Sequence, residues 1–188
     1  MTESLVLASK VVPAKWTERA VLDVMHKRFC PPLNGHSPRY AMAEHVRMDP
    51  GAGANGQILD AVTVDTWRSN GWALDGFEVK VSRSDLRREC NNVGKSQAWD
   101  GILNSFSIVA PYAVLHDWRT FGMPDTWGVL ALVDGERRPT HLRWLRQPPT
   151  TTAYGKGAAV DRRIVASIAR STAKTGRLHC SRLGCGVS

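Results

Sequence analysis

The sequence lacks an apolar run long enough to cross a membrane as a helix. It also lacks the layout of a secretory signal. The N-terminal stretch MTESLVLASKVVPAKW has too short an apolar segment, and its flanks differ from those of a signal peptide. We therefore expect a soluble cytoplasmic protein that has no membrane partner.

Cysteine is scarce, with four residues in a chain of 188. A chain of this size with so few cysteines has no disulfide framework, so we expect reduced thiols. The C-terminal HCSRLGC offers His179, Cys180 and Cys185 as zinc ligands. A structural zinc site needs a fourth ligand, usually from a second short-spaced pair. A zinc site completed by Cys30 or Cys90 stays open as an alternative.

The glycine-rich stretch DPGAGANG (49–56) does not end in Gly-Lys-Ser/Thr. Its glycines therefore do not form a phosphate-binding loop of the nucleotide-hydrolase type. We expect a turn or loop there, because the stretch has few large side chains to bury.

Acidic residues are almost missing from the C-terminal end. Residues 139–188 hold nine Lys and Arg but only Asp161 as an acid, and this excess accounts for the whole net charge of +8. Basic side chains that neutralise phosphates release counterions from nucleic acid, so the charge favours a polyanionic partner. A generic solubilising surface is the alternative interpretation.

The hydrophobic pattern predicts one domain over 1–174 and a basic, Cys-containing tail over 175–188. The sequence predicts a mixed α/β sheet with flanking helices, because strand and helix patterns alternate without an internal repeat. AMAEHVRM (41–48) fits either a strand or a short helix. The predicted elements are helix 17–29, strands 57–67 and 71–81, a helix over 83–90 that resumes at 95–106, strands 107–117, 126–135 and 140–145, and helix 161–174.

Two charged residues interrupt the predicted hairpin 57–81. If its turn is centred on Ser69, Asp60 lies opposite Glu78, and opposed residues have Cβ atoms about 4.5–5.5 Å apart. Two buried like charges repel, and a divalent cation between them would remove the conflict. Oxygen ligands suit Mg²⁺ or Mn²⁺. Lys80 lies on the same face as Glu78 and could hold the attacking water or stabilise developing phosphate charge.

These residues resemble a known family. ILD on one strand and EVK on the next, after an N-terminal helix, are similar to the PD-(D/E)xK nuclease superfamily. The continuation EVKVSRSDL, followed by Lys95, Gln97 and Trp99, is most similar to its MmcB-like DNA repair branch. Leu59 stands where the family motif has proline. The resemblance covers roughly 17–135 and implies a restriction-endonuclease-like αβββαβ core, with Asp60, Glu78 and Lys80 as the catalytic residues.

The resemblance also suggests a further acid upstream, and Glu44 occupies such a position, with an ordinary surface glutamate as the alternative. Ser82 and Arg83 begin a helix beside the proposed metal, where free backbone N–H groups can bind phosphate, although helix capping explains Ser82 equally well. The remaining candidate nucleic-acid ligands are Lys95, Gln97, Arg162 and Arg163. His45 and His116 have no recognisable nucleophile partner, so we expect them to be structural.

Trp67 and Trp72 flank the hairpin turn and could stack on bases, although packing and clamping of the hairpin is the simpler interpretation. The resulting hypothesis is a metal-dependent DNA endonuclease for repair, recombination or phage and host DNA processing. RNA stays open as a substrate, and a homodimer is allowed. The alternatives are a non-catalytic DNA-binding or regulatory module of the same fold, and a protein-interaction domain in which Glu-Val-Lys is incidental.

Overall fold

The computed structural model describes residues 16–31, 39–48, 57–67, 72–134, 140–149 and 162–182, without the side chains of Lys95, Arg162, Arg163 and 175–182. Among the helices of these ranges, none combines the length and apolar character needed to cross a membrane. The elements are α1 Glu18–Phe29, β1 Tyr40–Arg47, β2 Ile58–Asp65, β3 Leu74–Val79, α2 Arg83–Asn91, α3 Gly94–Gln97, β4 Ser105–Pro111, α4 Tyr112–Leu115, a 3₁₀ helix Trp118–Phe121, β5 Trp127–Val133, β6 His141–Arg146 and α5 Arg162–Arg182.

The six described strands form one mixed sheet in the order β1-β2-β3-β4-β5-β6. β3, β4 and β5 run parallel, and the other neighbouring pairs are antiparallel. Helices cover both faces, so the predicted mixed α/β sheet with flanking helices is confirmed. The ambiguous segment 41–48 is strand β1, and the predicted 140–145 strand pairs with β5 as expected.

Each face of the sheet buries its own hydrophobic layer. One layer joins α1 to the sheet through Val21, Leu22 and Met25, which pack with residues such as Phe77 and Val79. The other layer lies under α2, α4 and α5, and its members include Leu86, Trp99, Leu103, Ile108 and Ile164. Alternate residues of β3 therefore face opposite helices, as the period of a strand requires.

Side-chain caps begin the helices on both faces. Thr17 Oγ1 accepts a hydrogen bond from the Ala20 N–H at 3.2 Å, which starts α1. Ser82 Oγ accepts one from the Asp85 N–H at 3.2 Å, which starts α2. Both caps satisfy amide groups that have no partner within their helix. The predicted helices 17–29 and 83–90 are confirmed.

The predicted resumption of a helix over 95–106 is wrong. Only the four residues of α3 are helical, and Gly101 adopts the left-handed conformation (φ 77) that helix geometry forbids. Asn104 then docks on the first residue of β3. Its N–H donates to the Leu74 carbonyl at 2.7 Å, and its side-chain carbonyl accepts from the Leu74 N–H at 2.8 Å. These two bonds draw the chain into β4.

Proline 111 ends a central strand of the sheet. β4 lies between β3 and β5, and Pro111 pairs with Leu132 at its last position. Proline has no N–H to continue the ladder, and its fixed φ suits the start of helix α4. The predicted strand 107–117 therefore stops at residue 111.

Gly76 lies in a regular part of β3, where it pairs with Val62 and Phe106. The reason for glycine is space. A Cβ atom at this position would overlap Leu103 and would lie 2.9 Å from Leu59 Cδ1. The two leucines therefore pack directly against the backbone of β3.

Helix α5 packs against β1 and continues to Arg182, well past the predicted end at 174. The segment 175–188, predicted as a loose tail, therefore starts as helix. Ile164 is buried, whereas Val165 is 52% exposed. Ser167 and Ser171 complete the buried stripe, since they follow Ile164 at spacings of three and seven residues.

Candidate functional site

The β2–β3 hairpin has the predicted register. Ala61 lies opposite Phe77 and Val62 opposite Gly76, so continuing the pairing by one residue brings Asp60 to Glu78. The described backbone pairing of β2 with β3 ends at Ala61. Beyond this residue, the Asp60 side chain makes the contact with β3. Asp60 Oδ2 accepts a hydrogen bond from the Val79 N–H at 2.8 Å. That N–H belongs to the peptide bond between Glu78 and Val79, so Asp60 meets β3 directly beside Glu78.

The strand geometry is irregular at this point. Leu59 and Val62 belong to one hydrophobic layer and Ala61 to the other, so the alternation of faces breaks at Asp60. On the neighbouring strand β1, His45 has a left-handed backbone (φ 51). Left-handed backbone is uncommon for a residue other than glycine and often accompanies functional sites. At this irregular point the Asp60 carboxylate accepts from the Val79 N–H and lies near Glu18 and His45.

The Glu78 and Lys80 side chains form a buried ion pair with a third residue. Lys80 Nζ lies 2.9 Å from Glu78 Oε1 and 2.8 Å from Glu89 Oε2, and its side chain is 13% exposed. Burial alone would lower the pKa of Lys80, but the Glu78 and Glu89 carboxylates outweigh burial and raise the pKa. Lys80 therefore stays protonated at neutral pH and can donate hydrogen bonds to an anion, but cannot accept a proton.

These three residues line a cleft of about 420 Å³ between β3 and α2. The volume lies within the range of small-molecule sites. Its lining is polar throughout and consists of Gln57, Glu78, Lys80, Asp85, Arg88, Glu89, Asn92 and Gly94. Glu89 was missed by sequence reasoning, because it reads as one more charge on the surface of helix α2.

A second group of ligand-type side chains surrounds Asp60. Ligand atoms of Glu18, His45 and Asp60 all lie within 4.8 Å of one another. Glu18 belongs to the first turn of α1, and His45 Nδ1 lies 3.8 Å from its carboxylate. Carboxylate oxygens with one imidazole nitrogen form a donor set that suits Mn²⁺, and the carboxylates suit Mg²⁺. Sequence reasoning missed Glu18 and set His45 aside as structural.

The structure gives Glu44 different partners from those predicted. Its carboxylate is 4% exposed and receives both Arg19 Nη groups, at 2.5 and 2.6 Å. His26 Nε2 lies 2.8 Å from Glu44 Oε1. Burial alone would raise the pKa of Glu44, but hydrogen bonds from His26 and Arg19 outweigh burial and lower the pKa to about 2. Two cations on α1 therefore account for this buried carboxylate.

The candidate nucleic-acid ligands fall into three groups. Ser82 caps α2, which agrees with the capping interpretation. Arg83 forms a two-pronged ion pair with Asp117 at 2.6 and 2.5 Å and stacks 5.1 Å from the ring centre of Phe121. Gln97 is exposed at the end of α3. The side chains of Lys95, Arg162 and Arg163, and those of the zinc candidates His179, Cys180 and Cys185, lie outside the described residues.

Comparison of the chain with protein-family models, with curated proteins and with solved structures finds no match.

Proposed function

We propose that the chain is a metal-dependent nuclease that hydrolyses phosphodiester bonds of DNA, with Asp60, Glu78 and Lys80 at its centre. The observation that carries the proposal is the hydrogen bond from the Val79 N–H to Asp60. It joins the acid of β2 to the Glu-Val-Lys segment of β3, whose Glu78 and Lys80 line a polar cleft. The proposal agrees with the resemblance of this chain to PD-(D/E)xK nucleases, including their involvement in DNA repair.

The donor set around Asp60 fits Mg²⁺ or Mn²⁺. Ligand atoms of Glu18, His45 and Asp60 lie within 4.8 Å of one another, whereas Glu78 lies with Lys80 and Glu89 beside α2. When bound, the metal lowers the pKa of a coordinated water and neutralises charge on the scissile phosphate. Glu44 is left out of this set, because Arg19 and His26 hold its carboxylate.

Lys80 acts as a hydrogen-bond donor in this proposal. Since its pKa is raised, the ammonium orients the attacking water through the oxygen lone pairs or contacts a phosphate oxygen as negative charge develops. Glu89 holds Lys80 from the side of α2 and Glu78 holds it from the strand, so the ammonium is oriented before substrate arrives. An oriented donor loses less conformational entropy at the moment of reaction.

A non-catalytic DNA-binding module of the same fold is the second candidate. The observation that favours it is the closed Glu78–Lys80–Glu89 network, in which the ammonium has two carboxylate partners within 3 Å. Such a network can also be purely structural, since a buried cation needs paired anions.

Calorimetric titration with Mn²⁺ separates the two candidates. The nuclease binds the ion, Asp60→Asn and Glu78→Gln lose the binding heat, and the exposed Asp125→Asn keeps it as a matched loss of one carboxylate. A protein that gives no binding heat, or that binds Mn²⁺ equally well after both cleft substitutions, would support the binding module instead.

A further inference from the structure

Two tryptophans at the tip of the β2–β3 hairpin are exposed. Trp67 is 56% and Trp72 is 58% exposed, more than any other large hydrophobic residue of the described ranges. Trp67 follows the end of β2, and Trp72 precedes β3 with a left-handed backbone (φ 61). Because neither indole is buried, core packing does not explain them.

An arginine is stacked against this tip. The Arg39 guanidinium carbon lies 4.9 Å from the ring centre of Trp67 and 5.0 Å from that of Tyr40. The buried Asp65 binds both Arg39 and the backbone of Trp67. It accepts hydrogen bonds from Arg39 at 2.7 and 3.1 Å and from the Trp67 N–H at 3.0 Å. Asp65 therefore holds the Arg39 cation, against which the Trp67 indole lies, before any ligand binds.

The chemistry of this tip suits nucleobases. Indole rings and guanidinium planes stack on the flat faces of bases, and every base presents such a face. In a duplex those faces are hidden between neighbouring base pairs, so only unpaired bases can reach a tryptophan. The chain carries a net charge of +8, which lies in residues 139–188 and favours a polyanionic partner.

We propose that Arg39, Trp67 and Trp72 form a stacking platform for the unpaired bases of single-stranded DNA. The proposal rests on the proposed function and narrows its substrate to DNA with a single-stranded segment. Asp65 is five residues along β2 from Asp60, about 17 Å at ~3.3 Å per residue, and Trp67 two residues further on is about 23 Å from Asp60. A strand with stacked bases, at about 3.4 Å per nucleotide, covers this ~23 Å with roughly seven nucleotides.

Binding without metal tests the platform separately from cleavage. Fluorescence anisotropy in EDTA compares a labelled 12-nucleotide single strand with the same sequence as a duplex. We expect Trp67→Ala and Trp72→Ala each to weaken single-strand binding by about 5- to 100-fold, the range measured for one base stack, and to leave duplex binding unchanged. Trp67→Phe and Trp72→Phe should recover most of the affinity, because a phenyl ring still stacks.

Tyr112→Ala is the matched control, since Tyr112 is a 44% exposed ring that stacks with Arg143 elsewhere on the surface. The Tyr112→Ala variant should bind the single strand with the same affinity as the wild type. Thermal melting first establishes that Trp67→Ala and Trp72→Ala are folded. The platform is refuted if these folded variants bind the single strand as tightly as the wild type. Equal losses for Tyr112→Ala, or equal losses on the duplex, would refute it as well.

The outcome also separates the two proposals. If the protein binds no Mn²⁺ and cuts no DNA, but the tryptophan variants lose single-strand affinity, the nuclease proposal fails and the platform stands. If the protein cuts DNA and the tryptophan variants bind and cut a single strand like the wild type, the platform fails and the nuclease stands.

Discussion

The buried Glu44–His26 pair should make the free energy of unfolding depend on pH. Burial alone would lower the pKa of His26, but hydrogen bonds to Cys30 and Glu44 outweigh burial and raise the pKa to about 9, from an ordinary value of 6.5. The folded protein thus keeps a proton on His26 at pH values where the unfolded chain has lost it. This stabilisation is complete below pH 6.5 and disappears as the pH rises through 9.

The size of this stabilisation follows from the difference between the pKa values of His26 in the unfolded and folded protein. A difference of one pKa unit corresponds to about 1.4 kcal/mol, so a shift from 6.5 to about 9 contributes roughly 3 kcal/mol. The His26 side chain is 14% exposed and the Glu44 side chain 2%, so solvent screens their interaction weakly. A loss of this size is a large fraction of the stability of a typical domain.

Urea denaturation at several pH values between 6 and 9.5 measures the effect. The Glu44→Gln variant should be less stable than the wild type at pH 6.5. Between pH 6.5 and pH 9.5, the free energy of unfolding of the variant should fall by at most half as much as that of the wild type. His26→Gln should flatten the curve in the same way. Asp23→Asn is the matched control, because it removes a partly exposed carboxylate from the same Arg19 without touching His26. If Glu44→Gln shows the wild-type pH dependence, the His26–Glu44 interaction does not control this transition.

Three further substitutions test other contacts. Glu89→Gln removes one of the two carboxylates that raise the pKa of Lys80. Because Lys80 then loses its proton at lower pH, the cleavage rate should begin to fall at lower pH than in the wild type. An unchanged pH–rate profile would contradict the role of Glu89 in positioning Lys80. Gly76→Ala should cost about 1–3 kcal/mol in urea denaturation, because its methyl group overlaps Leu103, and an unchanged midpoint would contradict this packing. Ser82→Ala should cost about 1 kcal/mol, whereas Ser82→Thr should retain the cap, and equal losses for both would argue against capping.

The hairpin register could be predicted from sequence because it depends on local rules. Alternating side chains and a symmetric turn bring Asp60 to Glu78, and the observed pairing of Ala61 with Phe77 has the same register. The Ser82 cap was also visible, since a capping residue and its helix are neighbours in the chain.

The partners of these residues could not be predicted, because they come from distant elements. Glu18 reaches Asp60 only when α1 docks on the sheet, and Glu89 reaches Lys80 only when α2 folds back over β3. Glu44 was assigned to the metal by its place in the sequence, but its side chain faces α1 and meets Arg19. Side-chain direction depends on the irregular backbone at β1, which no local pattern encodes.

Cleavage of labelled DNA is the most direct test of the central claim. A panel of single strands, duplexes, branches and flaps is incubated with Mg²⁺ or Mn²⁺, and with EDTA as the metal-free control. We expect cleavage only with metal, at the wild-type rate for the matched variant Asp125→Asn. Asp60→Asn, Glu78→Gln and Lys80→Ala should each abolish cleavage while they retain the fold by circular dichroism. If all three variants cut DNA at the wild-type rate, or if the wild type cuts none of these DNAs with either metal, the assignment of a nuclease site to Asp60, Glu78 and Lys80 is wrong.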